Sequence, residues 1–305
     1  MPRTADRITI GETSITYLLD GHGVHNPDTM MPGVDWSAHP GSLEDGQLVL
    51  TFGAFLIRAG DQKILVDLGL GEMDVNLPGL AHVQGGRLLQ SLAAEGLSPD
   101  DIDTVVYTHL HLDHIGWTSD VAPVPSAPEP KTPSSLTFAR ARHLMAEAEW
   151  RHWTTEAAGE LGGPDAEATI KPLKGVVEFI GNGDTIAPGV AVEDTSGHTP
   201  GHLAVVVRDP SGASTESVFI AGDIFHAPVE MADPACVFSS DVNPDQARAV
   251  RNRVLRRPDT VIAAGHFTNG VFGRVTPTGG TYTWTPVGHP PTIPVTPGRP
   301  TTIGT

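Results

Sequence analysis

The chain has 305 residues, with 19 Lys and Arg against 36 Asp and Glu, a formal net charge of −17. Such an acidic surface repels polyanions, which excludes nucleic acid and an anionic membrane surface as expected partners. No apolar run reaches the roughly eighteen residues of a membrane span, and a single cysteine, Cys236, excludes an internal disulfide and any multi-cysteine zinc or iron–sulfur site.

The N-terminal residues Met1 to Asp6 run into polar alternation without the apolar core of a signal peptide, so a cytoplasmic location is the default expectation. Residues 7–10 and 13–19 alternate apolar and polar and read as strands. Leu48 to Arg58 and Lys63 to Asp67 follow as a hairpin closed by Ala59-Gly-Asp-Gln62. Between them, Gly21 to Gly46 reads as one long loop carrying Met30, Met31 and Trp36. Large apolar residues in such a loop either wall a pocket or tuck beneath it.

Gly86 to Glu95 reads as a helix with a Leu88, Leu89, Leu92 stripe and Gly96 as its stop. Ile102 to Tyr107 has the continuous apolar character of a buried strand. Residues 120–135 are Pro-rich and read as a surface excursion, and 137–153 as a short strand followed by a helix. The second half repeats the strand style at 176–180, 190–193, 203–208, 217–221 and 261–264. Asn243-Pro-Asp-Gln246 reads as a helix start, with Asn243 as cap and Gln246 completing a capping box. From Val287 onward Pro and Thr dominate, which gives one domain over 1–286 and a loose tail over 287–305. Strands, helix, strands, then strands, helix, strand fit an α/β protein with helices outside two packed mixed sheets.

The decisive segment is Thr108-His-Leu-His-Leu-Asp-His-Ile-Gly116, at the end of the strand 102–107. His109 and His111 project to one side of an extended backbone, and the following turn can aim Asp113 and His114 at a nearby point. Four ligand-type side chains in six residues suit two metal ions better than one. That spacing arises by chance in about two chains per thousand of this composition. Further ligand types follow other strands: Ser196-Gly-His-Thr-Pro-Gly-His202, Ala221-Gly-Asp-Ile-Phe-His226 and Ala264-Gly-His266. A histidine in a rigid turn has a fixed direction, and a carboxylate at a strand end can bridge two cations.

These motifs, from Ile64-Leu-Val-Asp-Leu-Gly69 to His266, resemble those of the metallo-β-lactamase superfamily in its two-metal hydrolase branch. The resemblance implies the four-layer αββα sandwich. It implies one metal held by His109, His111 and His198, a second by Asp113, His114 and His266, and Asp223 bridging both. Zinc is the expected ion, with manganese, iron or cobalt as alternatives for the same donors. Asp223 stands where the name-giving β-lactamases carry Cys, and His114 is present, which argues against penicillin hydrolysis.

The sequence is most similar to the branch of acyl-homoserine lactonases and methyl-parathion-hydrolase-like enzymes. His226 stands where those lactonases typically carry Tyr; it either lines the pocket and hydrogen-bonds substrate, or fixes a neighbouring loop. The implied chemistry is attack by a hydroxide shared between two ions roughly 3.5–4 Å apart, with Asp113 taking or returning a proton. The implied substrate is a small molecule: a lactone or another small ester, aryl esters and phosphotriesters included. An iron-dependent redox enzyme, as in sulfur dioxygenases, is the alternative on the same scaffold. The resemblance also allows a homodimer. Met30, Met31, Trp36, Trp117 and Phe267 are either an apolar substrate pocket or core. His202 reads as a packing residue or a support behind the ligands rather than a ligand, and Asp67 as either a support for a ligand histidine or a turn residue.

Overall fold

The computed structural model describes residues 6–120, 135–160, 162–233 and 235–287. The expected excursion over 120–135 and the tail from 287 lie almost wholly outside the described residues.

Nine strands form the first sheet: β1 (Arg7–Ile10), β2 (Thr13–His25), β3 (Leu48–Ala59), β4 (Gln62–Val66), β5 (Asp74–Leu77), β6 (Ala81–Gln84), β7 (Thr104–Val106), β8 (Arg142–Met145) and β9 (Val177–Phe179). Their order is β5-β6-β2-β3-β4-β7-β8-β9, with β1 on β2. The second sheet runs in sequence order through β10 (Thr185–Ala187), β11 (Val190–Asp194), β12 (Leu203–Arg208), β13 (Ser217–Ile220), β14 (Thr260–Ala263), β15 (Phe272–Thr278) and β16 (Thr281–Pro286). The helices are α1 (Pro27–Met30), α2 (Leu88–Ala94), α3 (Leu112–Ile115), α4 (Glu147–Arg151), α5 (Lys171–Leu173), α6 (Val229–Ala232) and α7 (Pro244–Val254).

The two-residue period of a strand explains the layering. Ile15, Tyr17, Phe55, Ile57, Ile64, Val66 and Val106 meet Leu203, Val205, Val207, Val218, Ile220, Val261 and Ala263 between the sheets. The alternate residues Leu18, Leu56, Leu65 and Val105 face Leu88 and Leu92 of α2. On the far side, Val206, Phe219 and Ile262 face Val250 and Val254 of α7. Strands covered on both faces lose the apolar–polar alternation, so their sequences read as continuous apolar runs. The result is the αββα sandwich.

Three local expectations are corrected. The segment 21–25, taken as loop, continues β2 past a bulge between Leu19 and Gly21, and residues 22–25 pair with β6. A Cβ on Gly21 would lie 1.9 Å from the Gln84 carbonyl oxygen, so glycine here permits close strand approach rather than a turn. The hairpins β5–β6 and β15–β16 were not anticipated. At α7, Asn243 Oδ1 does accept from Gln246 N (3.1 Å). Gln246, however, pairs with the Asn243 side chain (3.3 Å) while the Asn243 backbone N–H goes to Gly197, so the box is not closed.

Both sheets deliver their site loops to one place, and backbone bonds join them there. Leu203 N–H donates to Thr108 O (2.9 Å), and Thr51 N–H donates to His266 O (3.1 Å). No helix among the described residues is long and apolar enough to cross a membrane.

Candidate metal centre

His109 and His111 lie in the loop after β7, Asp113 and His114 on α3, His198 between β11 and β12, Asp223 just after β13, and His266 just after β14. The structure brings all seven together in two groups that share Asp223. One comprises His109, His111, His198 and Asp223; the other comprises Asp113, His114, Asp223 and His266; within each group the ligand atoms lie within 4.8 Å of one another. Ligand atoms about 2.0–2.1 Å from one tetrahedral cation sit about 3.3–3.4 Å apart. In the first group His109 Nε2 and His198 Nε2 stand 3.5 and 3.3 Å from Asp223 Oδ2. In the second, His114 Nε2 and His266 Nε2 stand 3.0 and 2.8 Å from Asp223 Oδ1, and 3.6 and 3.7 Å from Asp113 Oδ2. Each Asp223 oxygen thus serves one group.

The far nitrogens show why these imidazoles suit a cation. His114 Nδ1 meets Asp67 Oδ2 at 2.9 Å, and His198 Nδ1 meets Asp241 Oδ1 at 2.9 Å. His266 Nδ1 donates to Thr51 O (2.8 Å). His109 Nδ1 meets the Thr108 hydroxyl (3.0 Å), which itself donates to Asp67 Oδ2 (2.8 Å). With each Nδ1 proton engaged by an acceptor, each Nε2 presents a lone pair to the centre. His111 uses Nδ1 instead, 3.0 Å from His109 Nε2 and 2.9 Å from His198 Nε2. Three nitrogens converging in this way call for a positive charge between them. His114 Nε2 is buried without a hydrogen-bond partner. Beside it a void of about 10 Å³, about one water-sized sphere, is lined by Asp113, His114, Asp223 and His266. The donor set therefore fits a pair of divalent cations.

The electrostatics agree. Burial pushes the Asp223 carboxyl up, but the surrounding imidazoles, His114 and His266 foremost, hold it well below the usual carboxylate range. Burial, reinforced by neighbouring histidines, drives His109 and His111 well below the ordinary imidazole value. Burial also lowers His198 and His266, but the nearby carboxylates outweigh it and raise both.

His226 is buried and lies on the chain just past Asp223, with Nε2 3.3 Å from Asp223 Oδ2. Its ring stacks on Phe238 at 3.4 Å, and its Nδ1 faces Glu230 (3.4 Å). Burial lowers its basicity, yet Glu230 and Asp223 lift it to about 9. His202 lies behind the centre, accepting from Asp223 N–H at Nε2 (3.0 Å). Asp67 has φ 63°, a strained conformation for a non-glycine residue, and accepts from Thr108 N–H (2.7 Å) as well as meeting His114. Turn residue and histidine support are thus one role.

Several supports carry no sequence signal. Glu149 is fully buried on α4 and accepts from Leu110 N–H (2.9 Å), Thr199 Oγ1 (2.6 Å) and Gly201 N–H (3.1 Å). It ties the His109/His111 loop to the His198 loop. Asp241, which orients His198, stands alone among small residues. Asp67 was legible as a possible histidine support, and Thr108 stands directly before the histidine motif.

A cavity of about 580 Å³ opens beside the centre, with His226 and His266 in its lining alongside Leu48, Val229, Phe267 and Trp284. Of the five expected pocket residues, Phe267 lines it. Met31 is fully buried in the cluster behind its wall, with Met30 and Trp36 packed on that cluster. Trp117 belongs to the cluster beneath α2 and donates to Asp20 (2.9 Å).

Comparison with known proteins gives four findings. The family model described as "Metallo-beta-lactamase superfamily" matches residues 54–266, which contain all seven clustered residues. A probable metallo-hydrolase of Mycobacterium tuberculosis is 27% identical over 262 residues, covering 74% of this chain and 77% of the relative. An N-acyl homoserine lactonase of Bacillus thuringiensis subsp. kurstaki is 24% identical over 248 residues, covering 76% of this chain and 88% of the relative. Among solved structures, the dizinc quorum-quenching lactonase AidC matches with a TM-score of 0.76 and 20% identity, over 93% of this chain and 97% of that one, a likeness of fold.

Proposed function

The chain belongs to the metallo-β-lactamase superfamily, and on that premise we propose that it is a two-metal hydrolase of lactones and other small esters. Metal-dependent hydrolysis is the chemistry of this family. The single observation that carries the finer reading is the shared carboxylate: each Asp223 oxygen faces its own set of buried imidazoles.

His109, His111 and His198 would hold one ion, Asp113, His114 and His266 the other, and Asp223 both. Two such ions lower the pKa of bound water toward neutrality and polarise the oxygen of a carbonyl or phosphoryl group. The protein supplies the rest. Asp113, 22% exposed at its side chain, is the more open carboxylate of the set, and its role is to take and return a proton. His226 Nε2, buried without a hydrogen-bond partner at the cavity, offers a hydrogen bond to substrate or leaving group. Asp67, Asp241, Thr51 and Thr108 keep the imidazoles aimed. The apolar wall of Leu48, Val229, Phe267 and Trp284 suits an uncharged apolar substituent.

Zinc is the proposed ion: imidazole donors with two carboxylates suit it, and the fold relative AidC is dizinc. The test is a panel of lactones, aryl esters and phosphotriesters against zinc-loaded protein, with Asp223→Ala as control. Hydrolysis of lactones or aryl esters, lost together with metal retention in Asp223→Ala, is the expected result. Stoichiometric iron with oxygen uptake and no hydrolysis would replace this reading with the redox one.

A further inference from the structure

Behind the centre lies a set of charges that ligand binding alone does not require. Arg251, on α7, is fully buried, as are the side chains of Glu230 and Asp241. Its Nη1 stands 3.2 Å from Glu230 Oε1 and 3.4 Å from Asp241 Oδ2, and its Nη2 donates to Cys236 O (2.7 Å). Each carboxylate then reaches one imidazole. Asp241 Oδ1 meets His198 Nδ1 at 2.9 Å. Glu230 accepts from the backbone N–H of His226 and of Ala227 and faces His226 Nδ1 at 3.4 Å. The two rings lie 5.1 Å apart.

Burying three charges carries a large desolvation cost, and apolar residues of similar volume stabilise a core as well or better. Stability is therefore a weak reason for this arrangement. Geometry offers a stronger one. The neighbours of Arg251 on α7, Val250 and Val254, are packed on the second sheet, so the guanidinium projects from a rigid element. Its planar fork has donors enough to hold both carboxylates and a carbonyl at fixed angles.

We infer that Arg251 is a positioning residue that aims two imidazoles at once: His198 through Asp241, and His226 through Glu230. One guanidinium thereby keeps the three-histidine group in register with the histidine at the substrate cavity. This rests on the hydrolase reading above.

Two variants test it. Arg251→Lys keeps the buried positive charge but not the fork. The double variant Arg251→Met with Glu230→Gln removes one positive and one negative charge together, which buried pairs tolerate. Three quantities are read: zinc affinity by chelator competition, the visible absorption of the cobalt-substituted protein, and kcat against KM. Both variants are expected to bind zinc about tenfold more weakly, to shift the cobalt bands, and to lower kcat about tenfold with KM within about threefold of wild type. If the double variant melts as wild type does and keeps wild-type zinc affinity, cobalt bands and kcat, the network only balances charge and the inference is overturned. Should the double variant fail to fold, Arg251→Lys decides on the same three readings. Failure of the hydrolase reading itself shows separately, as wild-type protein that neither binds zinc nor turns over ester.

Discussion

Gly116 shows how tightly single residues bind the centre to its scaffold. It closes α3, which carries Asp113 and His114, and its N–H donates to Gly69 O (2.7 Å) while Leu68 N–H donates to His114 O (2.8 Å). A Cβ on Gly116 would fall 1.9 Å from the Leu70 carbonyl carbon and 2.1 Å from its oxygen. These are backbone atoms and have no rotamer to yield. Gly116→Ala is therefore expected to cost about 3 kcal/mol and to loosen the Asp113/His114 side first, measured as a lower Tm and loss of one bound metal. A wild-type melt would contradict the packing described. At this scale the sequence was most readable where chemistry is local. His109, His111, Asp113 and His114 stand within six residues, and His198, Asp223 and His266 each follow a strand in a Gly-flanked turn. Glu149, Asp241 and Arg251 meet the site only through folding from distant segments, Glu230 stands four residues past His226 outside any motif, and a lone acid or base in a chain with 36 acids and 19 bases carries no mark of its role.

At the scale of elements, the strands buried on both faces declared themselves as apolar runs, and α7 by its cap and stripe. The β15–β16 hairpin did not. Its residues Thr276, Thr278, Thr281 and Thr283 with Pro277 and Pro286 form no apolar run, yet they pair in a regular antiparallel register. Only its buried end touches the core, where Trp284 meets Phe267 at 5.0 Å. That end also lines the cavity, so under the proposed function the hairpin would be one wall of the substrate site. Trp284→Ala is expected to raise KM about tenfold for an ester with a bulky apolar substituent, the equivalent of about 1.4 kcal/mol, while leaving kcat and metal content near wild type. An unchanged KM across such substrates would place the substituent elsewhere. Asp20 shows why α2 needed no cap of its own. One buried carboxylate at the β2 bulge accepts from Gly86, Arg87 and Leu88 N–H at 3.1, 2.8 and 2.7 Å, and from Leu70 and Gly71 on the other oxygen. No local pattern announces a cap that comes from 66 residues away.

At the scale of the whole molecule, the centre is where the two halves of the sandwich meet. The first sheet contributes His109, His111, Asp113 and His114, the second His198, Asp223 and His266. Each group in the centre draws on both sheets, so ions bound there would cross-link them. The layered architecture was legible because alternating and continuous apolar strands dictate which faces are covered. Substrate choice was not, because the cavity is built from segments as far apart as Leu48 and Trp284.

The central claim is that two divalent cations, clamped by residues of both sheets, perform the hydrolysis. Elemental analysis of the purified protein before and after chelation, with Tm and lactone or aryl-ester turnover measured on the same samples, tests it most directly. Two metal ions per chain are expected. Chelation should remove turnover and lower stability by about 3 kcal/mol for each ion removed where free metal stood at a hundred times Kd, and added zinc should restore both. Full turnover and an unchanged Tm in metal-free protein would contradict it.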